Sequence, residues 1–246
     1  MTKFIEKLNI INQKIDNRIV NEQVKEINKI IETVAQKKVL IKSPNRLGLF
    51  PDELEEITKE ANFKDVKTMN HLLNSVRQFL SLKFGIWSLP NLTTATLIRK
   101  ELKVSTAVEI MAGNAYWTKA LNEAGIQTIA TDSLEWAKTS LTGKKQFSYV
   151  ENLDAIKAIK KYNTVDLIFC SWSPNFGKSD LDVIASWKKY APNSHLLFIG
   201  EKNGATNSPE FWNFTHFKKT PELAKINQSF VSYDFIDEKI FEIDEL

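Results

Sequence analysis

Cysteine is nearly absent: the chain of 246 residues carries one, Cys170. A lone thiol excludes an intramolecular disulfide and any cysteine-rich metal site. Histidine is almost as scarce. His71, His195 and His216 are scattered, no pair stands at metal-ligand spacing, and no metal is expected. No apolar run approaches the roughly 18 residues that cross a bilayer. Met1 to Lys7 lacks the uninterrupted apolar core of a secretion signal, so the expectation is a cytoplasmic protein with no membrane partner. Net charge is small too. Lys and Arg total 33 against 30 Asp and Glu, leaving +3. A nucleic-acid face needs clustered cations and not a slight surplus, so nucleic acid is the least favoured partner. Internal repeats and low-complexity segments are also missing. The last stretch, Asp234 to Leu246, is acidic and is expected to be a solvated tail.

What is present is an ordinary globular composition, 43% hydrophobic and 26% charged, long enough for one sizeable core plus an extra segment or at most two domains. Residues 3 to 37 contain no Gly or Pro and read as helix. Phe4, Leu8, Ile11 and Ile15 keep a four-three spacing, and Val20, Val24, Ile27, Ile31 and Val34 keep it again. The two halves are out of phase, which predicts two packed helices or a bent one. Packing onto the chain's own body is preferred to self-association, with a homodimer through these helices left open. Pro44, Gly48 and Pro51 punctuate a linker, and further helices are predicted at about 52–61 and 66–83. Gly85 to Pro90 breaks the pattern, and Thr93 or Thr94 is the expected cap of a helix ending near Leu102. The chain therefore divides into a helical region, 1–84, and a second domain, 85–246.

From Ala107 onward short apolar runs alternate with amphipathic segments. Strands are predicted at 106–111, 127–131, 146–150, 165–170 and 195–199, and helices at 115–124, 134–140, 153–162 and 180–190. Such alternation implies an α/β fold, Rossmann-like, with a mainly parallel sheet and helices on both faces. Phe211 to Phe217 suits either a helix or a strand. Phe230 to Ile243 suggests two strands around Asp237-Glu238, an antiparallel hairpin at the end of the sheet.

The chemistry-bearing stretch is Val108 to Trp117. An apolar run ends in Glu109 and a small-residue turn, whose backbone can come close to a ligand. Asp132 follows Gly113 at a distance of 19 positions and closes the next apolar run. A carboxylate there can accept hydrogen bonds from both ribose hydroxyls of an adenosine cofactor. Asn114, Ala115 and Tyr116 open a helix whose free N–H groups favour a carboxylate or phosphate. Each residue also has a plainer reading: Glu109 as a helix-capping carboxylate, Asp154 as a helix N-cap, Trp172 as packing beneath a loop. Glu201, just after the fifth strand, is the weak candidate for a general base, and capping the loop Glu201 to Gly204 is slightly favoured for it. Cys170 is expected to end a buried strand and to be inert.

Glu109-Ile110-Met111-Ala112-Gly113-Asn114-Ala115 resembles the first motif, E-x-G-x-G-x-G, of class I S-adenosylmethionine (SAM)-dependent methyltransferases. Gly113 matches the central glycine and Glu109 the acid, while Met111 and Ala115 replace the flanking glycines. Asp132 is similar to that family's ribose-binding acid. Asp154-Ala155 is similar to the pair beside the adenine, with Glu151 or Asn152 as alternatives. Gly85 to Pro90, Tyr116-Trp117, Ser171-Trp172-Ser173-Pro174 and Ile199-Gly200-Glu201 resemble, in their order, an uncharacterised bacterial and fungal branch. The resemblance spans roughly 85 to 201. It implies SAM as cofactor, held by Glu109, Met111, Ala112, Gly113, Asn114, Tyr116, Asp132, Asp154 and Ser171. It implies Trp87 and Trp172 as substrate walls, with Tyr116 among the aromatics. The loop Trp172 to Asn175 lacks the Asp/Asn-Pro-Pro-Tyr of amine-type DNA methyltransferases, so the unidentified methyl acceptor is expected to be a small molecule or a protein. Two other readings stay open: an inactive methyltransferase-like binding or partner protein, and a nicotinamide oxidoreductase. Of the latter's G-x-G-x-x-G fingerprint only one glycine of three is present.

Overall fold

The computed structural model describes residues 2–244. Helix α1 (Lys3–Ile15) ends at Asp16 in the left-handed conformation, and Asn17 caps α2 (Arg18–Ala35) by accepting from the Ile19 and Val20 N–H groups. This break is why the two apolar seams are out of phase. Leu8, Ile11, Ile15, Val20, Val24, Ile27, Ile31 and Val34 are all buried within the chain, so the seam faces its own core. Self-association of these helices would have to use their other faces. Further helices follow: α3 (Pro51–Glu60), α4 (Phe63–Asn74), α5 (Val76–Phe84) and α6 (Leu92–Glu101). The predicted single helix at 66–83 is split between α4 and α5, with Ser75 at the junction. Asn91, two residues before Thr93 and three before Thr94, caps α6 through the Thr94 N–H in place of either expected threonine.

The rest is strand and helix in alternation: β1 (Thr106–Glu109), α7 (Tyr116–Glu123), β2 (Gln127–Asp132), β3 (Val150–Asn152), α8 (Ala155–Lys161), β4 (Leu167–Ser171), α9 (Ser179–Tyr190), β5 (His195–Glu201), α10 (Pro209–Phe214), α11 (Pro221–Ser229) and β6 (Glu238–Glu242). The described strands form one six-stranded sheet in the order β3-β2-β1-β4-β5-β6. All pairs are parallel except β5 with β6. This is the expected α/β architecture, mainly parallel with an antiparallel pair at one edge. Strand parity sorts its two faces. Ala107, Leu167, Phe169, Leu197 and Ile199 join the cluster that contains the helices of 3–84. Val108, Ile110, Ile168, Cys170, Leu196 and Phe198 pack on the other face against α8 to α10. Central strands buried on both faces read as unbroken apolar runs for this reason.

Four expectations need correction. The run at 146–150 forms strand only from Val150: Phe147 instead stacks on Tyr116 at 4.3 Å and donates its N–H to the Asn114 carbonyl. Residues 134–140 make a single 3-10 turn, Trp136–Lys138, and not a full helix. The antiparallel pair is made by β5 and β6, while 230–236 is irregular. Finally, the acidic stretch is no solvated tail. Asp234, Glu238 and Glu242 are buried and ion-paired, Glu242 to Lys218 and His195, the other two to Arg77. Residues 245 and 246, the last two of that stretch, lie outside the described residues. Among the described residues no helix is long and apolar enough to cross a membrane.

Candidate functional site

In an open parallel sheet, ligands bind beyond the carboxyl ends of the strands where the strand order reverses. Here β1 and β4 flank that point, and a cleft of about 530 Å³ opens there. Small-molecule sites run roughly 300–1,000 Å³. Glu109, Met111, Ala112, Gly113 and Asn114 contribute the turn after β1, and Tyr116 and Trp117 the start of α7. Asp132, Ser133, Glu135 and Trp136 come from the end of β2. Ser171, Trp172, Pro174 and Phe176 follow β4, and Gly85 to Ser88 close the cleft from the end of α5.

The turn is organised by two carboxylates. Asp132 accepts the Gly113 N–H through Oδ2 at 2.9 Å and the Leu134 N–H through Oδ1 at 2.7 Å. Each oxygen keeps a further lone-pair site, so the group is positioned but not saturated. Glu109 is fully buried and accepts both the Thr118 N–H and the Thr118 hydroxyl, which ties the strand end to the first turn of α7. Burial pushes its carboxyl up to about 7 against the pull of the Thr118 bonds, and the neighbouring Asp132 charge adds to the rise. The helix-capping reading of Glu109 therefore describes one of its jobs, and lining the cleft is the other.

Met111 (φ 52°), Gly113 (φ 53°) and Ala115 (φ 56°) all have left-handed backbone. These are the three positions at which the motif quoted above has glycine. The turn keeps a glycine-type conformation with two residues that pay about 1 kcal/mol or more for it. Gly85 is needed on two counts, for its φ of 69° and because an added Cβ would lie 2.4 Å from the Asn114 side chain. Asn114 donates to the Phe84 carbonyl, while its Oδ1 is buried with no partner. That leaves an unused acceptor in the wall of the cleft.

The opposite wall is aromatic. Trp87 stacks on Trp172 with centroids 5.4 Å apart and planes at 22°. Trp172 is held by its Nε1–H to Glu238 at 2.7 Å, by its N–H to the Ile199 carbonyl, and by the Arg77 guanidinium 5.0 Å from its ring. Arg77 is buried, forms a two-bonded pair with Asp234, bonds Glu238 at 2.9 Å, and donates to the Trp87 carbonyl at 2.6 Å. Burial works against its charge, but Glu238 and Asp234 outweigh that and hold the proton more firmly than usual.

Two solved structures align with this chain at low identity. The mitomycin 7-O-methyltransferase MmcR aligns over 91% of this chain and 68% of its own, at 14% identity and a TM-score of 0.39. A SAM-dependent methyltransferase from Archaeoglobus fulgidus aligns over 68% of this chain and 99% of its own, also at 14% identity and 0.39. No family model and no curated protein matches the sequence.

Of the sequence-predicted residues, Glu109, Met111, Ala112, Gly113, Asn114, Tyr116, Asp132, Ser171, Trp87 and Trp172 line the one cleft. Asp154 does not. It caps α8 through the Lys157 N–H at 3.0 Å and pairs with the Lys157 ammonium at 2.8 Å. Its alternatives are also outside: Glu151 is taken by Lys161 and Tyr162, and Asn152 ends β3. Glu201 holds its own loop by accepting the Ala205 N–H at 2.8 Å and does not reach the cleft. Tyr116 lines the cleft with its ring while its hydroxyl donates to the Lys38 carbonyl. Burial pushes the Cys170 thiol up, which removes it as a nucleophile. Among the described residues no group of three His, Cys, Asp or Glu could hold a metal ion.

Sequence reasoning missed Trp136, Glu135 and Phe176. Each stands a few residues beyond a strand end that had been identified, on the side where ligands bind. Arg77 was missed for a different reason: its partners are 157 and 161 positions away.

Proposed function

We propose that this chain is a SAM-dependent methyltransferase acting on an acceptor still to be identified. The observation that carries the reading is the left-handed turn Met111-Gly113-Ala115 clamped by Asp132 at the mouth of β1 and β2. The residues present fit the cofactor. Asp132 has lone pairs left for two ribose hydroxyls, Asn114 Oδ1 is an unpartnered acceptor, and the Trp136 ring covers the turn, 3.7 Å from where a Cβ at Gly113 would stand. SAM, when bound at these residues, would supply a methyl group on a positively charged sulfur, a carbon open to an acceptor's lone pair with the C–S electron pair left on sulfur.

The work left to the protein is orientation, electrostatics and exclusion of water. Asp132 lends negative charge to a cleft that must receive a cation. Trp87, Trp172 and Phe176 keep the far wall apolar. No side chain of the cleft is assigned as a general base. An inactive scaffold is the second reading, since Met111 and Ala115 replace motif glycines; it predicts cofactor binding without transfer.

The test is calorimetric titration of the purified chain with SAM, S-adenosylhomocysteine (SAH) and NAD, with Asp132→Ala beside the wild type. SAM and SAH are expected to bind in the micromolar range and NAD not at all. Loss of one charge-assisted ligand contact weakens binding by about 1.5–3 kcal/mol, roughly ten- to a hundredfold. Unchanged affinity in Asp132→Ala would sink the placement of the ribose.

A further inference from the structure

The cleft is charged on one wall only and with one sign. Asp132 carries that charge: Glu135 also lines the cleft but pairs with the Lys138 ammonium at 2.7 Å, Glu109 is buried and bonded to Thr118, and no Lys, Arg or His is among the described lining residues. The acceptor wall beyond them is Trp87 stacked on Trp172, with Phe176 alongside. Trp172 is immobilised by Glu238 and Arg77, and the Trp87 backbone is fixed by Arg77, yet the Trp87 residue is still 52% exposed. A flat ring held rigid in advance and left half bare is a surface on which another flat ring can stack at low ordering cost. A cation gains from the same π face and from the charge of Asp132 in the same cleft, whereas an anion finds no counter-charge among the described lining residues.

We propose that the open face of Trp87 is the acceptor subsite and that it takes a planar aromatic acceptor without negative charge, neutral or cationic. This rests on the methyltransferase reading for the word acceptor; the stacking site itself does not.

Three probes of one shape and different charge test it: quinoline, N-methylquinolinium and quinoline-2-carboxylate. Each is titrated into the full chain, alone and saturated with SAH. Quinoline and N-methylquinolinium are expected to bind, and the carboxylate at least tenfold more weakly. Trp87→Ala, a change at a half-exposed position, is expected to weaken the first two at least tenfold while SAH affinity stays within twofold. Trp87→Phe, which keeps a flat ring, is expected to recover part of the loss. Equal binding of the carboxylate, or indifference of the quinolines to Trp87→Ala, would overturn the subsite. SAH binding with neither quinoline would overturn it and leave the cofactor reading standing. Quinoline binding at Trp87 without SAH binding would do the reverse, and silence from every probe would overturn both.

Discussion

Glu109 should make the protein lose stability as pH rises through neutrality. Its carboxyl is ordinarily near 4.5 and is pushed up to about 7 in the folded chain, chiefly by burial. A folded-state value above the unfolded one means that the folded chain holds the extra proton between about pH 4.5 and 7. The contribution is present in full below about 4.5 and is lost as pH climbs through 7. At about 1.36 kcal/mol per pKa unit, ionising Glu109 costs the folded chain about 3 kcal/mol. Other groups move oppositely: Asp166, held down to about 2 by hydrogen bonds from Ser105 and Thr106, stabilises at any pH above that range. Subtraction is therefore needed. Urea unfolding of wild type and Glu109→Gln at pH 4.5, 6 and 8 isolates the one titration, since Gln can still accept from Thr118 but carries no charge. The stability of the variant relative to wild type should rise by about 3 kcal/mol between pH 4.5 and 8. A difference that stays flat across that range would refute the claim that burial dominates at Glu109.

Three more outcomes follow from other parts of the structure. Arg77→Met leaves Asp234 and Glu238 buried without their cation and should cost about 3–5 kcal/mol in urea unfolding at pH 7; a loss under about 1 kcal/mol would mean that water reaches the pair. Ala115→Gly relieves about 1–2 kcal/mol of left-handed strain but gives up chain stiffness and a buried methyl, so its stability should stay within about 1 kcal/mol of wild type. Ala120→Gly, inside α7, should be clearly worse, and equal losses at the two sites would count against strain at 115. Asp154→Ala should cost about 1 kcal/mol as a lost helix cap and leave SAH affinity unchanged; weakened SAH binding would return Asp154 to the site.

Much of the framework could be read from sequence because it depends on local pattern. Central strands such as Leu167 to Ser171 are unbroken apolar runs, and the acids at 109 and 132 stand at strand ends where a switch-point site must lie. What the sequence hid falls into two kinds. The alternation Gln146-Phe147-Ser148-Tyr149 satisfies period two equally well in a strand or in a loop, and here Phe147 sits in a loop packed on Tyr116. Helix α11 was missed although Thr220 and Pro221 supply its cap and first position, because its buried residues Leu223 and Ile226 make too short an apolar stripe to show a period. The second kind is beyond any local reading. Glu238 and Glu242 share one face of β6 with Ile240, and only the cations brought to them from α5 and from Lys218 make burial tolerable. Without those partners in view, acids near the end of a chain look like a solvated tail.

The route by which Arg77 is satisfied also constrains how the molecule comes into being on the ribosome. Its two carboxylate partners are made 157 and 161 residues after it. Until they emerge, α5 must carry an unpaired guanidinium through an otherwise apolar neighbourhood, and β5 presents an open edge that β6 will later cover. Contacts of such sequence separation form slowly because loop closure precedes any gain. The acids that complete the aromatic wall are thus synthesised after the tryptophans they hold. Nascent chains would hold the turn after β1 well before they hold Trp172 in place.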